Sequence, residues 1–456
     1  MKVYSFSRGG LRFEDDFAPG RVKSWLAFLP EMVIVPLAVE AGSRSIPVVS
    51  EGRDIEEGML IARRQGSGSA NVHSPIPGKL VKTIKWAAAP GFLSDAFVIK
   101  LGGSFNRLGK PEVKHEWTDL NWFELRSLLD EYGVIEMDGL GRPLCDIFSK
   151  NNMTDAPITL IVRCVFDEPW LAAEYCLCKE RTEAVAEGCL ITARAAGASS
   201  VVFAVSAAER ELGRALLEAA KRNAASGQIT FAEVLTGSRY PQRSDYAMKA
   251  VMTRYAKRGG PVKGGLLTLG PATMAAVYDA VVFRVPVLER HVAVGGPALK
   301  HRAVVKARIG SRLRDLVAEC GGFTGKTEEE SAVATIGSPL MGRAAASLDE
   351  PVLKTSRSVF VSAAKRRGVS GKKNFLLSKI GGFLPEASCI NCGECRSVCP
   401  LRLDPEDLYK TISCGRRGMV NSNCIGCGCC EAVCPSKLPL CTAIVRTPPG
   451  GDARAV

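Results

Sequence analysis

No run of about 18 apolar residues occurs in this 456-residue chain, so none of it reads as a membrane-spanning helix. The first ten residues, Met1-Lys2-Val3-Tyr4-Ser5-Phe6-Ser7-Arg8-Gly9-Gly10, lack the apolar core of a signal peptide. The expectation is a chain that stays in the cytoplasm and meets any membrane only from its surface. There is no low-complexity tract and no nucleic-acid recognition motif of the usual kinds, which argues against a nucleic-acid partner. Acidic residues are short in supply: 47 face 60 Lys and Arg, a net charge of +13. That surplus favours an anionic partner, either an acidic protein or an anionic membrane surface, although a solvated basic surface accounts for it equally well.

Cysteine is abundant. Eleven of the 17 cysteines fall between Cys389 and Cys441. In a long chain without an export signal, such clustering points to metal rather than disulfides. The first run is Cys389-Ile390-Asn391-Cys392-Gly393-Glu394-Cys395-Arg396-Ser397-Val398-Cys399-Pro400. The second is Cys424-Ile425-Gly426-Cys427-Gly428-Cys429-Cys430-Glu431-Ala432-Val433-Cys434-Pro435. Both read C-x2-C-x2-C-x3-C-P, the spacing of two-cluster bacterial ferredoxins, in which the fourth cysteine of each run ligates the other cluster.

The spacing has a chemical reason. Three thiolates from a tight loop converge on one cubane, and the short gaps let backbone N–H groups turn towards the sulfurs. Two [4Fe–4S] clusters are therefore expected, one held by Cys389, Cys392, Cys395 and Cys434, the other by Cys399, Cys424, Cys427 and Cys430. Zinc, which takes four ligands per site and commonly two separated CxxC pairs, fits two complete repeats poorly. Cys429 competes with Cys430 by position, but the spacing favours Cys430. Cys414 and Cys441 match no ligand position and are expected to be packed thiols, as are Cys145, Cys164, Cys176, Cys178, Cys189 and Cys320. Asp404-Pro405 starts a helix between the loops. With no open iron evident, the expected role is conduction.

About three or four domains fit the length, and the expected fold is multidomain α/β. Residues 1–105 read as a β barrel-sandwich of the biotinyl or lipoyl carrier type, with strands such as Val33-Ile34-Val35 and a turn at Ser74-Pro75-Ile76-Pro77-Gly78. No lysine stands in a carrier context, so its role is structural, and His73 reads as packed or exposed rather than a ligand. Residues 106–130 are polar and then helix-like, and read as a linker. Residues 131–284 alternate strands (157–163, 199–205, 228–234) with helices (181–196, 207–223), which implies a Rossmann-like parallel α/β domain. Residues 285–364 carry two strands and a helix capped by Ser311 and ended by Gly321-Gly322, a β-grasp-like module. Residues 365–456 form the ferredoxin-like domain, entered through a basic linker at 365–373.

These features resemble a known family, the C subunit of the Rnf electron-transport complex. The resemblance runs through Phe6-Ser7-Arg8-Gly9-Gly10-Leu11, Val48-Val49-Ser50-Glu51-Gly52, Val72-His73-Ser74-Pro75-Ile76-Pro77-Gly78, Gly321-Gly322-Phe323-Thr324-Gly325, Gly337-Ser338-Pro339-Leu340-Met341-Gly342 and Leu348-Asp349-Glu350-Pro351-Val352, and then both cysteine runs. It implies a peripheral subunit on the cytoplasmic face of the membrane, with integral-membrane and ferredoxin-like subunits as partners. The complex moves electrons between a low-potential carrier and NAD(H) and couples that flow to translocation of Na⁺ or H⁺. The middle domain is similar to the flavin- and NADH-binding subunit of respiratory complex I, and the next module to a soluble-ligand-binding β-grasp.

The sequence departs from this pattern where the flavin would sit. The family's loop reads like G-V-V-G-M-G-G-A-G-F-P-T with a lysine three residues on. Here it is Gly133-Val134-Ile135-Glu136-Met137-Asp138-Gly139-Leu140-Gly141-Arg142-Pro143-Leu144, with Ile147 at the lysine position. A carboxylate about 4 Å from a phosphate charge is repelled by roughly 4 kcal/mol at an effective dielectric near 20. The motif N-G-A-E-C-E-P-Y appears as Arg163-Cys164-Val165-Phe166-Asp167-Glu168-Pro169-Trp170, and V-Q-N-V-G-T as Thr268-Leu269-Gly270-Pro271-Ala272-Thr273. FMN and NAD(H) are thus expected to bind weakly or not at all, any residual contact running through Gly139, Gly141 and Glu168. The competing expectations are an active flavin-dependent NADH dehydrogenase subunit and a non-redox docking subunit with structural clusters.

Overall fold

The computed structural model describes residues 2–13, 17–38, 43–89, 92–104, 113–151, 157–224, 229–325, 332–363, 387–416 and 423–445. The basic linker expected at 365–373 lies outside these residues.

The chain begins with two short strands, β1 (Val3–Tyr4) and β2 (Trp25–Leu26), that join sheets formed much later in the sequence. The barrel-sandwich follows as β3 (Met32–Pro36), β4 (Ile46–Pro47), β5 (Asp54–Ile55), β6 (Leu60–Arg63), β7 (Val72–His73), β8 (Gly78–Ala89) and β9 (Phe92–Leu101). One sheet runs β3-β9-β8-β5 and the other β4-β6-β7. Their alternate apolar side chains, among them Val33, Val35, Ile61, Leu80, Phe97 and Ile99, close one core. His73 is half-buried, and burial, with the Lys354 charge second, lowers its imidazole to about 3, so it stays neutral.

The segment expected as a linker ends in helix α1 (Trp122–Glu131). Asn121 caps it, and Glu124 reaches back to the Asn121 N–H at 2.8 Å. Leu125 and Leu129, one turn apart, are fully buried in the core of the next domain. The helix-like end of the segment is thus a helix, but it belongs to the α/β core and not to a linker, and only two buried leucines mark that. After α2 (Leu144–Asn151) comes the parallel sheet, built from β10 (Ile158–Cys164), β11 (Ala198–Ser206), β12 (Thr230–Thr236) and β13 (Gly265–Leu269). Its order is β1-β12-β11-β10-β13. All seven residues of β10 are buried, because helices cover both faces of a parallel sheet. The connecting helices are α3 (Ala172–Glu180), α4 (Thr182–Ala196), α5 (Arg210–Asn223), α6 (Asp245–Ala256) and α7 (Pro271–Tyr278).

The next module holds β14 (Glu289–Gly295), β15 (Ala303–Arg308), α8 (Leu313–Glu319), β16 (Ala332–Ile336), β17 (Arg343–Ala344) and β18 (Ser358–Ala363). The sheet order is β17-β16-β18-β14-β15-β2, with β18 parallel to β14 and the hairpin β14–β15 antiparallel. The cap of α8 is Arg312, not Ser311: the Asp315 carboxylate accepts the Arg312 N–H at 2.9 Å, and Ser311 is buried. Gly321 and Gly322, at φ +77° and +79°, end the helix.

The N-terminal thirty residues thus do not belong wholly to the barrel. β1 extends the parallel sheet beside β12, and β2 pairs with β15. Two-residue strands carry no periodicity, so only tertiary pairing defines them. Among the described residues the last domain is four short helices around the cysteine loops: Glu394–Ser397, Pro405–Ser413, Cys429–Val433 and Leu440–Val445. Asp404 caps the second of these by accepting the Asp407 N–H at 3.2 Å.

Candidate metal centre and the nucleotide loop

The two cysteine runs fold alike. Asn391 and Gly393 in the first loop, and Gly426 and Gly428 in the second, have φ of +55°, +74°, +65° and +72°. These left-handed residues curl each loop, and asparagine and glycine are the residue types that tolerate them. The curl of the second loop turns the Gly426 N–H towards Cys424 Sγ at 3.4 Å, and after the first run, where Arg402 has φ +60°, Leu403 N–H reaches Cys399 Sγ at 3.3 Å.

The thiols line two separate cavities. Cys389, Cys392, Cys395 and Cys434 line the first, beside Leu438 and Leu440. Cys399, Cys424, Cys427 and Cys430 line the second, together with Cys429 and Cys441. The fourth cysteine of each run therefore sits with the first three of the other. The donor set fits a cubane in each: four thiols on a largely apolar wall, with both of these amide contacts in the second. Among the described residues the one carboxylate on the first wall, Glu406, is held by Lys410 at 2.6 Å and Arg396 at 3.3 Å. Among the described residues no three His, Cys, Asp or Glu side chains converge on the point a single ion would need. A cubane spreads its thiolates over four irons instead.

The remaining thiols divide. Cys441, expected to be merely packed, is buried but forms part of the second cavity wall. Cys414 is exposed, because it ends the helix Pro405–Ser413 on its solvent side. Cys164, Cys176, Cys178, Cys189 and Cys320 are buried, and Cys145 is half-buried and donates to Asp130 at 3.1 Å.

The cavities differ in surroundings. The first opens to solvent: Cys392 is exposed and Ile390 is 65% exposed. The second is pressed against the α/β domain. Tyr240 Oη donates to the Cys427 carbonyl at 2.9 Å, and Gly10 N–H donates to the Val398 carbonyl at 2.8 Å. Leu11 and Tyr240 exchange backbone hydrogen bonds, both at 2.9 Å. The Phe6-to-Leu11 segment is thus a strap. A Cβ on Gly9 would lie 2.6 Å from the Val398 carbonyl oxygen, and one on Gly10 2.3 Å from that of Tyr240, so only glycine lets the strap lie this close.

In the loop 133–144 the two unexpected carboxylates point inward. Glu136 is buried and pairs with Arg142 at 3.3 Å; burial, then the Asp138 charge, raises its pKa. Its carboxylate occupies the space beside Gly139, where a Cβ would lie 2.4 Å from Glu136 Cδ. Gly141 turns the loop at φ +82°. Asp138 has no exposed side-chain surface. Its Oδ2 accepts from Arg163 at 2.8 Å and Arg243 at 3.0 Å, and its Oδ1 accepts the Gly270 N–H at 3.1 Å. Burial works against the Asp138 charge, but the two guanidinium groups overcome it and hold the carboxyl below its usual range.

Gly270 caps α7, so its N–H lies at a helix N-terminus. A backbone N–H at a helix start and two arginines are what a phosphate would use. Here the side chain of Asp138 takes all three. Two departures from the family pattern, Asp138 and Arg163, pair with each other. The residues present do not fit a flavin phosphate in this loop.

Around this pair lie groups that the sequence did not single out: Arg243, Tyr240, and the buried pair Arg290–Glu174 at 2.6 Å, which ties β14 to α3. Nothing in local pattern marks them; only the folded chain brings them to one place. A cavity of about 430 Å³ between α7 and the β14–β15 hairpin has charged walls that pair internally, as in Arg181–Asp279 and Lys306–Glu289. Glu168 precedes the turn Pro169–Leu171, and burial, then the Asp167 charge, pushes its carboxyl up to about 7.

Asp167 is buried with Oδ1 unpartnered, and burial pushes it up to about 6 although Arg243 N–H donates to Oδ2 at 2.8 Å. Between an unfolded value near 4 and about 6, the folded chain binds this proton more tightly than the unfolded chain. Stability from this group therefore falls as pH rises through that window. Asp167→Asn is expected to flatten the fall, read as thermal midpoints between about pH 4 and 7.

Comparison with known proteins gives three matches along the chain. Residues 129–279 match the Nuo51 FMN-binding domain, residues 23–103 the RnfC barrel sandwich hybrid domain, and residues 386–409 and 421–437 a 4Fe-4S binding domain. Over 388 residues the chain is 28% identical to the C subunit of the proton-translocating ferredoxin:NAD(+) oxidoreductase complex of Clostridium ljungdahlii, covering 84% of this chain and 79% of that one. It is 28% identical over 399 residues to the C subunit of the ion-translocating oxidoreductase complex of Rhodobacter capsulatus, covering 85% and 71%. It is 24% identical over 383 residues to the C subunit of the Na(+)-translocating ferredoxin:NAD(+) oxidoreductase complex of Acetobacterium woodii, covering 82% and 80%.

Proposed function

We propose that the chain belongs with the RnfC subunits of ion-translocating ferredoxin:NAD(+) oxidoreductase complexes and relays electrons through two [4Fe–4S] clusters with no hydride chemistry of its own. The observation that carries this reading is the crossed arrangement of two cysteine quartets around two cavities, one open to solvent and one held against the α/β domain.

Each bound cluster would supply one-electron capacity. The protein's own part is to hold and insulate. Cys389, Cys392, Cys395 and Cys434 would hold the solvent-facing cluster, and Cys399, Cys424, Cys427 and Cys430 the inner one. The glycine strap and Tyr240 fix the inner quartet on the α/β domain. The Asp138–Arg163–Arg243 cluster occupies the phosphate-type site, so electrons would pass onward to a partner subunit instead of to a flavin in this chain.

Other subunits of the complex are partners in this reading. An exposed first quartet suits exchange with a ferredoxin-like subunit. No helix among the described residues is long and apolar enough to cross a membrane. Attachment on the cytoplasmic face, through integral-membrane subunits with help from the basic surplus, is consistent with that.

The test is optical and EPR titration of the anaerobically purified chain. Both clusters should reduce with a low-potential donor, and NADH alone should leave them oxidised. Rapid bleaching by NADH would favour the flavin-dependent dehydrogenase reading. Clusters that never reduce in a physiological range would favour the docking reading.

A further inference from the structure

The two cysteine cavities also differ in their thiols. The first is lined by its four ligand cysteines and no other thiol. The second has two more, Cys429 and Cys441. Cys441, in the helix Leu440–Val445, is 5% exposed, and its thiol lies within hydrogen-bond reach of both Cys424 and Cys430. Cys429 is fully buried against Tyr240 and Leu340, and its thiol reaches Cys427. Three of the four ligands of the inner quartet therefore have a spare thiol beside them.

We propose that Cys441 and Cys429 donate hydrogen bonds to the ligand sulfurs of the inner cluster and raise its reduction potential. The proposal rests on the two-cluster reading. A thiol carries one weakly donating proton. Once Cys424, Cys427 and Cys430 are iron-bound thiolates, they have no proton to give. Each contact then has a single polarity, from the spare S–H to the ligand sulfur. Such a donor draws charge from the sulfur and favours the reduced cluster, which carries one more negative charge; hydrogen bonds to sulfur are among the factors that set these potentials.

The outer quartet lacks these donors. Neither spare thiol is needed as a ligand, because each quartet is complete without it.

The test is EPR-monitored redox titration of the full-length chain, with an iron count on each variant. Cys392→Ala, which empties only the outer quartet, identifies the inner signal. Cys441→Ala and Cys429→Ala are expected to keep about eight irons and to shift only the inner midpoint to more negative potential. Cys441→Ser, which retains a donor, should return it towards the parent value. Unchanged midpoints in both alanine variants would overturn the proposal and leave the thiols as packing. Loss of about four irons in Cys441→Ala would overturn it too, by making Cys441 a ligand. An inner quartet without iron in the parent chain would overturn the two-cluster reading first, and the iron count alone tells that outcome apart.

Discussion

Cys434→Ala and Cys395→Ala should abolish the same cluster, taking the iron content from about eight to about four per chain. Cys399→Ala should match Cys424→Ala in the same way. The pairing follows from the cavities, where Cys434 lies with Cys389, Cys392 and Cys395, and Cys399 with Cys424, Cys427 and Cys430. If each run held its own cluster, Cys434→Ala would instead share its spectrum with Cys424→Ala. Iron and sulfide assays give the stoichiometry, and EPR shows which signal is lost. The same preparation should contain no stoichiometric FMN. FMN retained at one per chain would end the reading of the loop 133–144 as a closed site.

The second large effect concerns Asp138. Asp138→Ala leaves Arg163 and Arg243 buried side by side without their shared counter-ion, although Arg163 keeps Asp245 at 2.8 Å. Removing one partner from a buried charge cluster costs about 3–5 kcal/mol. Denaturant unfolding should show it as a lower midpoint with little change of slope. Acid should act similarly. The folded carboxyl lies below its unfolded value near 3.9. Its contribution is therefore complete above that value and is lost as pH falls through the folded one.

Asp138→Gly adds a sharper readout. It frees two guanidinium groups and the Gly270 N–H for an oxyanion. Inorganic phosphate should then raise the thermal midpoint of the variant and leave the parent unmoved. Equal response in both would show that Asp138 does not occupy an anion site.

The chemistry was legible because metal ligation is written in residue type and spacing. The repeated C-x2-C-x2-C-x3-C-P runs name the thiols and the fold of their loops. The parallel sheet was legible for a similar reason: strands buried on both faces read as unbroken apolar runs, as in Ile158–Cys164. Helix α1 was legible as a helix-like segment but not as part of the core, because its buried side is only Leu125 and Leu129. The strap was legible as a motif but not as a strap, since its contacts join Gly10 to Val398 and Leu11 to Tyr240.

The sequence by itself pointed to the cluster type, the eight candidate ligands and the resemblance to a family. It also showed that the flavin loop had changed, because a carboxylate in place of glycine is visible in one dimension. Only the tertiary structure decided what those changes do. Whether Asp138 faces solvent or the interior depends on Arg163 and Arg243, which lie 25 and 105 residues away in the chain. Whether Cys441 is idle or sits beside Cys424 and Cys430 depends on where the last helix packs. Both outcomes rest on burial and on contacts distant in sequence, which local spacing does not encode.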